Sequence, residues 1–295
     1  MQEGPTLRDF LTLLGLSLIW GSSYVLIKWG LEVFTARQVG VLRLGISALA
    51  LAPLAAIHLR RVRLGQLPLL IVVGLTGTAL PAFLFPTAQQ YLSSSLTGML
   101  SSLTPLCTFL VAWLAFRNRP VRQQVTGIVL GLTGALGLAY ISPAGEGDST
   151  QQLGYAGLVL LACLCYGTAA NLVANYLRQV PALTITVVSY FLVGLPALGY
   201  AVGAAGVIPT VMRAGTAGAT ALAYVSILAL GSTVLAGLVY YRLIQRAGAV
   251  FASTVSYLIP VVALIWGLAD GEGVVWQQLP AVALVLVGIF LSKRK

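Results

Sequence analysis

Apolar runs, broken by short clusters of charge, proline and glycine, recur ten times along this chain. They extend approximately from Leu11 to Leu31, Val33 to Ile57, Leu67 to Phe85, Tyr91 to Phe116, Val121 to Ile141, Leu153 to Tyr176, Leu183 to Val202, Thr216 to Tyr241, Ala247 to Leu268 and Trp276 to Leu291. A helix crosses the hydrocarbon core of a bilayer with about 20 apolar residues, and only helices or closed barrels satisfy their own backbone there. The pattern therefore predicts an all-α membrane protein of ten transmembrane helices, with Pro81 and Pro86 blurring the end of the third. The first run follows Arg8 as a signal peptide would. It is long, lacks a small-residue cleavage site and has a counterpart later in the chain, so it reads as the first span.

Two stretches repeat. "GMLSSLTPLCTFLVAWLAF" from Gly98 matches "STVSYLIPVVALIWGLADG" from Ser253 at a constant offset of 155, pairing Ser101 with Ser256 and Pro105 with Pro260. "WGSSYVLIK" from Trp20 matches "YGTAANLVA" from Tyr166 at an offset of 146. The chain divides into a first five-helix repeat, residues 1–144, and a second, residues 145–295. An odd number of spans per copy makes the second enter the membrane from the opposite side. A five-plus-five inverted repeat around a central cavity is a plan of secondary transporters, because two similar halves of opposite orientation give inward- and outward-open states of similar energy.

Charge sets the direction. With both termini in the cytoplasm, Arg8, Arg60, Arg61, Arg63, Arg117, Arg119, Arg122, Arg178, Arg242, Arg246, Lys293, Arg294 and Lys295 fall on that side. Lys28, Arg37 and Arg213 fall outside and Arg43 lies within the second span, a strong positive-inside bias. Composition agrees: 58% of residues are hydrophobic and 8% charged, with a mean hydropathy of +0.94, which excludes a water-soluble fold. The net charge of +10 is spread over short loops and reads as topology, with no nucleic-acid partner. Cys107, Cys163 and Cys165 all sit in apolar runs and offer neither a disulfide framework nor a metal site.

Polar residues inside the runs carry the candidate chemistry. The opening stretch places Ser23 and Tyr24 next to Trp20. Ser94, Thr97, Ser101, Thr104 and Thr108 share one face of the fourth span, and Ser253 and Ser256 with Pro260 form a shorter version on the ninth. Pro105 and Pro260 remove the donors for the Ser101 and Ser256 carbonyls, which could then face a substrate ammonium. Trp20, Tyr24, Tyr166, Tyr257, Phe83 and Phe85 supply aromatic walls. Trp29 and Trp276 read as interfacial anchors. The substrate-binding set is therefore Trp20, Ser23, Tyr24, Phe83, Thr97, Ser101, Tyr166, Ser253, Ser256 and Tyr257; Arg43, Pro105 and Pro260 are assigned to gating or structure.

Arg43, a charge within a span, is functional by default. Snorkelling to the interface or pairing with Glu32 competes with direct contact to a substrate carboxylate. Lys28 reads as an anchor at the outer end of the first span. Gly127 and Gly131 form a G-x-x-x-G spacing that suits a scaffold or a homodimer face. No predicted span contains Asp or Glu, so transport is expected to be facilitative and free of a carboxylate relay. His58, at a membrane end, reads as facing solvent or headgroups. An intramembrane protease would need a base or paired acids at depth, and a phosphate carrier several cations, so the substrate is expected to be neutral, zwitterionic or cationic.

The chain resembles the EamA-type branch of the drug/metabolite transporter superfamily, and within it the bacterial exporters of aromatic and other amino acids. The resemblance rests on "IWGSSYVLIKWGL", on Arg43 in "VLRLGISALAL", on "SSSLTGMLSSLTPLCTFLVAWLAF" and on "GAVFASTVSYLIPVVALIWGLADGE". It implies a cavity surrounded by the first, third, fourth, sixth, eighth and ninth spans, and an acidic residue after the fourth and ninth. Glu272 meets that pattern and Arg117 departs from it. The expectation is a bacterial inner-membrane protein that exports amino acids and related small metabolites by alternating access, without cofactor or metal. A multidrug or quaternary-cation exporter and a non-transporting membrane scaffold are the alternatives.

Overall fold

The computed structural model describes residues 6–116, 122–141, 149–273 and 276–293, and every regular element among them is helical. Ten long helical runs follow one another: α1 Leu7–Leu31, α2 Ala36–Arg61, α3 Leu64–Gln89, α4 Ser94–Phe116, α5 Arg122–Ile141, α6 Ser149–Tyr176, α7 Ala182–Gly203, α8 Thr216–Ala247, α9 Ala249–Ala269 and α10 Gln278–Lys293. A short helix, Val207–Ala214, joins α7 to α8. Eight of the ten have the length and apolarity of a membrane span. For α5 and α10 the described residues give apolar stretches of Val125–Gly134 and Leu279–Gly288. The 16 residues of α10 rise about 24 Å at 1.5 Å each, less than a hydrocarbon core of about 30 Å.

Local sequence explains the ends. Thr35 caps α2 by accepting from Gln38 N at 3.2 Å, while Gln38 Oε1 accepts from Thr35 N at 3.0 Å. The third run extends beyond the expected Phe85 to Gln89, passing through both prolines. It does so by widening: residues 75–79 form a π-helical turn in which Leu80 N donates to Leu75 O, so the ladder has already shifted when Pro81 fails to donate. A second π-helical turn, Leu228–Leu235, lies in α8. A 3₁₀ turn precedes each repeated proline, Ser101–Leu103 in α4 and Thr254–Tyr257 in α9.

Helices pair across the two halves of the chain. The second run lies along α7, and α5 along α10; α1 packs on α8 and α9, and α6 on α3 and α4. Glycines permit the closest approaches. A Cβ at Gly21 would sit 2.5 Å from Val262 Cβ, and one at Gly167 would sit 2.9 Å from Thr108 Cα. The glycines of α5 are also used within the chain, since a Cβ on Gly288 of α10 would meet Gly127 O and Gly131 N at 2.5 Å.

Leu7, Leu11, Leu14 and Leu18 form an exposed apolar face on α1, as a lipid-contacting helix requires. The interior holds two large apolar clusters. One contains Ile27, Phe34, Leu96 and Val225, the other Leu16, Leu70, Leu177 and Ile244, and Trp20 packs against both. All three cysteines are buried and free. His58 is buried too, with Nδ1 2.8 Å from Thr184 Oγ1, and so does not face solvent as expected.

Candidate functional site

Between the two apolar clusters lies a cavity. Trp20, Ser23 and Tyr24 of α1 form one wall, Ser101 and Thr104 of α4 another, and Tyr166 of α6 and Ser256 of α9 face them. The space that admits the centre of a water molecule is only about 60 Å³, so the side chains leave a contracted cavity with room for a few waters.

Irregular backbone shapes this cavity. The π-helical turn in α8 presents Ser232 O to Trp20 Nε1 at 2.9 Å and Thr233 Oγ1 to Arg43 Nε at 2.7 Å. The π-helical turn in α3 brings Gly77 to the wall, where a Cβ would strike Ala169 Cβ at 3.2 Å. Aromatic rings lock against one another: Trp20 meets Tyr240 edge-on at 4.9 Å, Tyr24 meets Phe85 edge-on at 5.6 Å, and Phe85 stacks on Tyr166 at 5.9 Å.

Of the expected substrate-binding residues, Trp20, Ser23, Tyr24, Ser101, Tyr166 and Ser256 come together here. Phe83 instead fills the space over Gly40, and Phe85 takes the cavity position. Thr97 and Ser253 turn their hydroxyls back to Ser93 O at 2.9 Å and Val250 O at 2.8 Å, away from the lining, and Tyr257 packs on an apolar cluster. The Ser101 carbonyl beside Pro105 is already taken, by Thr104 Oγ1 at 2.7 Å, because the 3₁₀ turn draws that hydroxyl back onto it. Pro105 and Pro260 each follow their 3₁₀ turn and lie outside the lining.

Arg43 is 6% exposed and faces the cavity, with the Tyr166 phenol beside it. It neither snorkels nor pairs with Glu32, which is exposed at the end of α1. Arg43 from α2 and Tyr190 from α7 add two helices to the expected six-helix lining, and Tyr240 and Tyr241 come from α8, one of the six.

Ion pairs close both ends of α1. At one end Arg246 Nε lies 3.3 Å from Asp9 Oδ1, and its Nη2 donates to Thr6 Oγ1 at 2.9 Å. At the other, Lys28 pairs with Asp270 and, at 3.1 Å, with Glu272. Glu272 also accepts from Ser94 N at 3.0 Å, Ser94 Oγ at 2.8 Å and Ser95 N at 3.0 Å, joining α9 to the start of α4. Burial pushes this carboxyl up, but the bonds from Ser95 and Ser94 outweigh it and hold it at about 2. The chain reverses at Gly271, φ 75°, to bring Glu272 back, and Gly267 leaves room for it: a Cβ there would lie 2.8 Å from Glu272 Oε2.

Lys28 and Trp29 are thus tied to the end of α9. Trp29 Nε1 donates to Asp270 Oδ1 at 2.8 Å, and its ring packs on Tyr224 at 4.8 Å and on Trp266 at 5.9 Å. The charges were visible in the sequence, but their pairing joins residues more than 200 positions apart, which no local pattern encodes. Trp276 is 80% exposed, and Arg117 lies outside the described residues.

The family model for EamA-like transporters matches the chain twice, over residues 8–140 and 153–294. An uncharacterized transporter of Archaeoglobus fulgidus is 22% identical over 277 residues, covering 94% of this chain and 95% of its own. A probable terminal-alkyne amino-acid exporter of Streptantibioticus cattleyicolor is 25% identical over 149 residues, half of this chain and 48% of its own. A protein solved by crystallography shares the fold, with a TM-score of 0.63 at 18% identity over 97% of this chain and 96% of its own.

Proposed function

The chain belongs to the EamA-like transporter family, and on that premise we propose that it exports amino acids, aromatic ones included, and related small metabolites by alternating access. The protein is a multi-pass membrane protein with, among the described residues, eight helices long and apolar enough to span. In this reading α5 and α10 complete ten spans, arranged as two inverted five-helix repeats in a bacterial inner membrane with both termini in the cytoplasm.

Reciprocal packing supports the repeat. Gly21 of α1 meets Val262 of α9, while Gly167 of α6 meets Cys107 and Thr108 of α4. Gly21 and Gly167 are matched positions of the duplication, as are Cys107 and Val262. The paired π-helical turns of α3 and α8 and the paired 3₁₀ turns of α4 and α9 follow the same correspondence. Discontinuous helices around a central site are a feature of transporters built from inverted repeats.

One observation carries the function: a cavity of hydroxyls and aromatic rings, enclosed between an ion pair at each end of α1. Releasing one closure at a time would expose the cavity to one side at a time. Among the described residues no Asp or Glu lines it, which supports a facilitative cycle. The amino-acid class draws on the hydroxyl and aromatic lining and on the name of the S. cattleyicolor relative.

The test is uptake of radiolabelled amino acids into liposomes containing the purified protein without an ion gradient, beside Trp20→Ala. Saturable flux that the variant loses is expected. Absence of flux from folded protein for every amino acid refutes the substrate class, and accumulation that requires a proton gradient refutes the facilitative cycle.

A further inference from the structure

We propose that Arg43 is the anchor for a substrate carboxylate, and that the cavity selects small aromatic or apolar monocarboxylates whether or not they carry an amino group. The inference rests on the transport reading above and sharpens it, because it names the substrate atom the site is built to hold.

Charge balance is the starting point. Four carboxylates occur among the described residues: Asp9, Glu32, Asp270 and Glu272. Asp9 is bound to Arg246, and Asp270 and Glu272 to Lys28, while Glu32 is exposed. Arg43 has no ion pair among the described residues, although it is 6% exposed and sits inside a membrane-spanning helix. A cation buried there without a counter-charge is costly, and proteins keep one where a ligand or a pathway requires it.

Geometry then selects the ligand. Thr233 Oγ1 accepts from Nε, and the Tyr166 phenol lies against the guanidinium, so neutral oxygens fix its position and leave its charge unbalanced. A guanidinium carries five N–H donors in a planar fork that fits a carboxylate through two parallel bonds. A phosphate would need further cations, and Arg43 is the one charged residue in the described lining. Rings of Trp20, Tyr24, Phe85 and Tyr240 enclose the rest of the cavity and suit an apolar or aromatic body. No lining carboxylate among the described residues waits for an ammonium, so the amino group of an amino acid is tolerated and is not the recognised feature. Permanently cationic compounds meet a like charge and are rejected.

Three probes separate these contributions: phenylalanine, 3-phenylpropionate, which lacks the amino group, and phenethylamine, which lacks the carboxylate. With wild-type protein in liposomes, phenylalanine and 3-phenylpropionate should each be transported, and phenethylamine should move at least tenfold more slowly. Arg43→Gln should reduce flux of both carboxylates at least tenfold, and Arg43→Lys should retain part of it. Thermal unfolding of the wild type alone gives a second readout, independent of whether the variants fold: 3-phenylpropionate should raise the Tm and phenethylamine should not. Phenylalanine flux unaffected by Arg43→Gln, or phenethylamine carried as fast as the carboxylates, overturns the anchor and leaves the transport reading intact. Flux of tetraphenylphosphonium with none of the carboxylates overturns the anchor and counts against the amino-acid class as well, leaving only transport itself. Absence of flux for every probe in folded protein overturns both.

Discussion

Replacing Glu272 with glutamine isolates the closure at the Lys28 end of α1, because it removes one charge and keeps the shape. The carboxylate takes three hydrogen bonds from Ser94 and Ser95 and lies 3.1 Å from Lys28 Nζ, with its side chain 7% exposed. Its pKa of about 2, against an ordinary 4.5, corresponds to on the order of 3 kcal/mol favouring the closed arrangement at neutral pH, at about 1.4 kcal/mol per pKa unit. An energy of that size changes the ratio of closed to open molecules roughly 100-fold. Ile27 lines the cavity and is 1% exposed, so Ile27→Cys reports opening when the three native cysteines are replaced by alanine. Its labelling by a membrane-impermeant maleimide is measured from the Lys28 side of the membrane. Normalised to Arg213→Cys, an exposed position on the same side, labelling should accelerate by up to about 100-fold in Glu272→Gln. The sign of the pH effect follows from the lowered pKa. The contribution is complete above about 4.5 and is lost as the pH falls from there toward about 2. With Glu272 intact, Ile27→Cys labelling normalised in the same way should therefore rise over that window, while in Glu272→Gln it stays flat. A labelling rate within threefold of wild type at neutral pH would refute the reasoning.

Other substitutions probe the same contacts from different directions. Gly267→Ala places a Cβ 2.8 Å from Glu272 Oε2 and 2.9 Å from Ser95 Cβ, and should speed Ile27→Cys labelling without removing any charge. Gly167→Ala meets the backbone of Thr108 at 2.9 Å; overpacking of this kind costs about 1–3 kcal/mol and should lower the Tm in detergent by several degrees. Asn171→Leu loses the bond to Thr108 O at 2.9 Å, at a cost of about 1–3 kcal/mol, and combined with Gly167→Ala it should fall short of additivity because both act at one contact. Asp9→Asn should change the Tm by under about 2 °C, since the Arg246 side chain is 49% exposed and exposed pairs contribute at most about 1 kcal/mol.

Lipid makes the helical runs legible, because a spanning segment must be apolar for its whole length and a charge cluster must end it. The cavity was legible where helical spacing and repetition agreed, as for Trp20 with Tyr166 and Ser101 with Ser256. Phe83 shows where that logic stops: the π-helical turn at 75–79 inserts a residue into the helix and turns the following face, so Phe85 reaches the cavity. Thr233 lies within the other π-helical turn and Tyr240 and Tyr241 beyond it, and they escaped for the same reason. The hydroxyl stripe of α4 was real as a face, but Thr97, Ser101 and Thr108 satisfy their hydroxyls on carbonyls of their own helix, the cheapest partners in an apolar setting. Lys28 and Arg43 illustrate a different gap, since a sequence shows that a charge is present but not which distant group answers it.

The exchange of partners between the halves bears on how the protein is made. Ribosomal synthesis delivers α1 first, yet its glycine face at Gly21 is filled by Val262, and α5 finds its companion only in α10. Early helices must therefore wait in the bilayer with their grooves occupied by lipid until the last segment emerges. Assembly is then a late, concerted displacement of lipid by helices, in which contacts distant in sequence close slowly. A truncation that removes α10 would leave α5 without the helix it packs along.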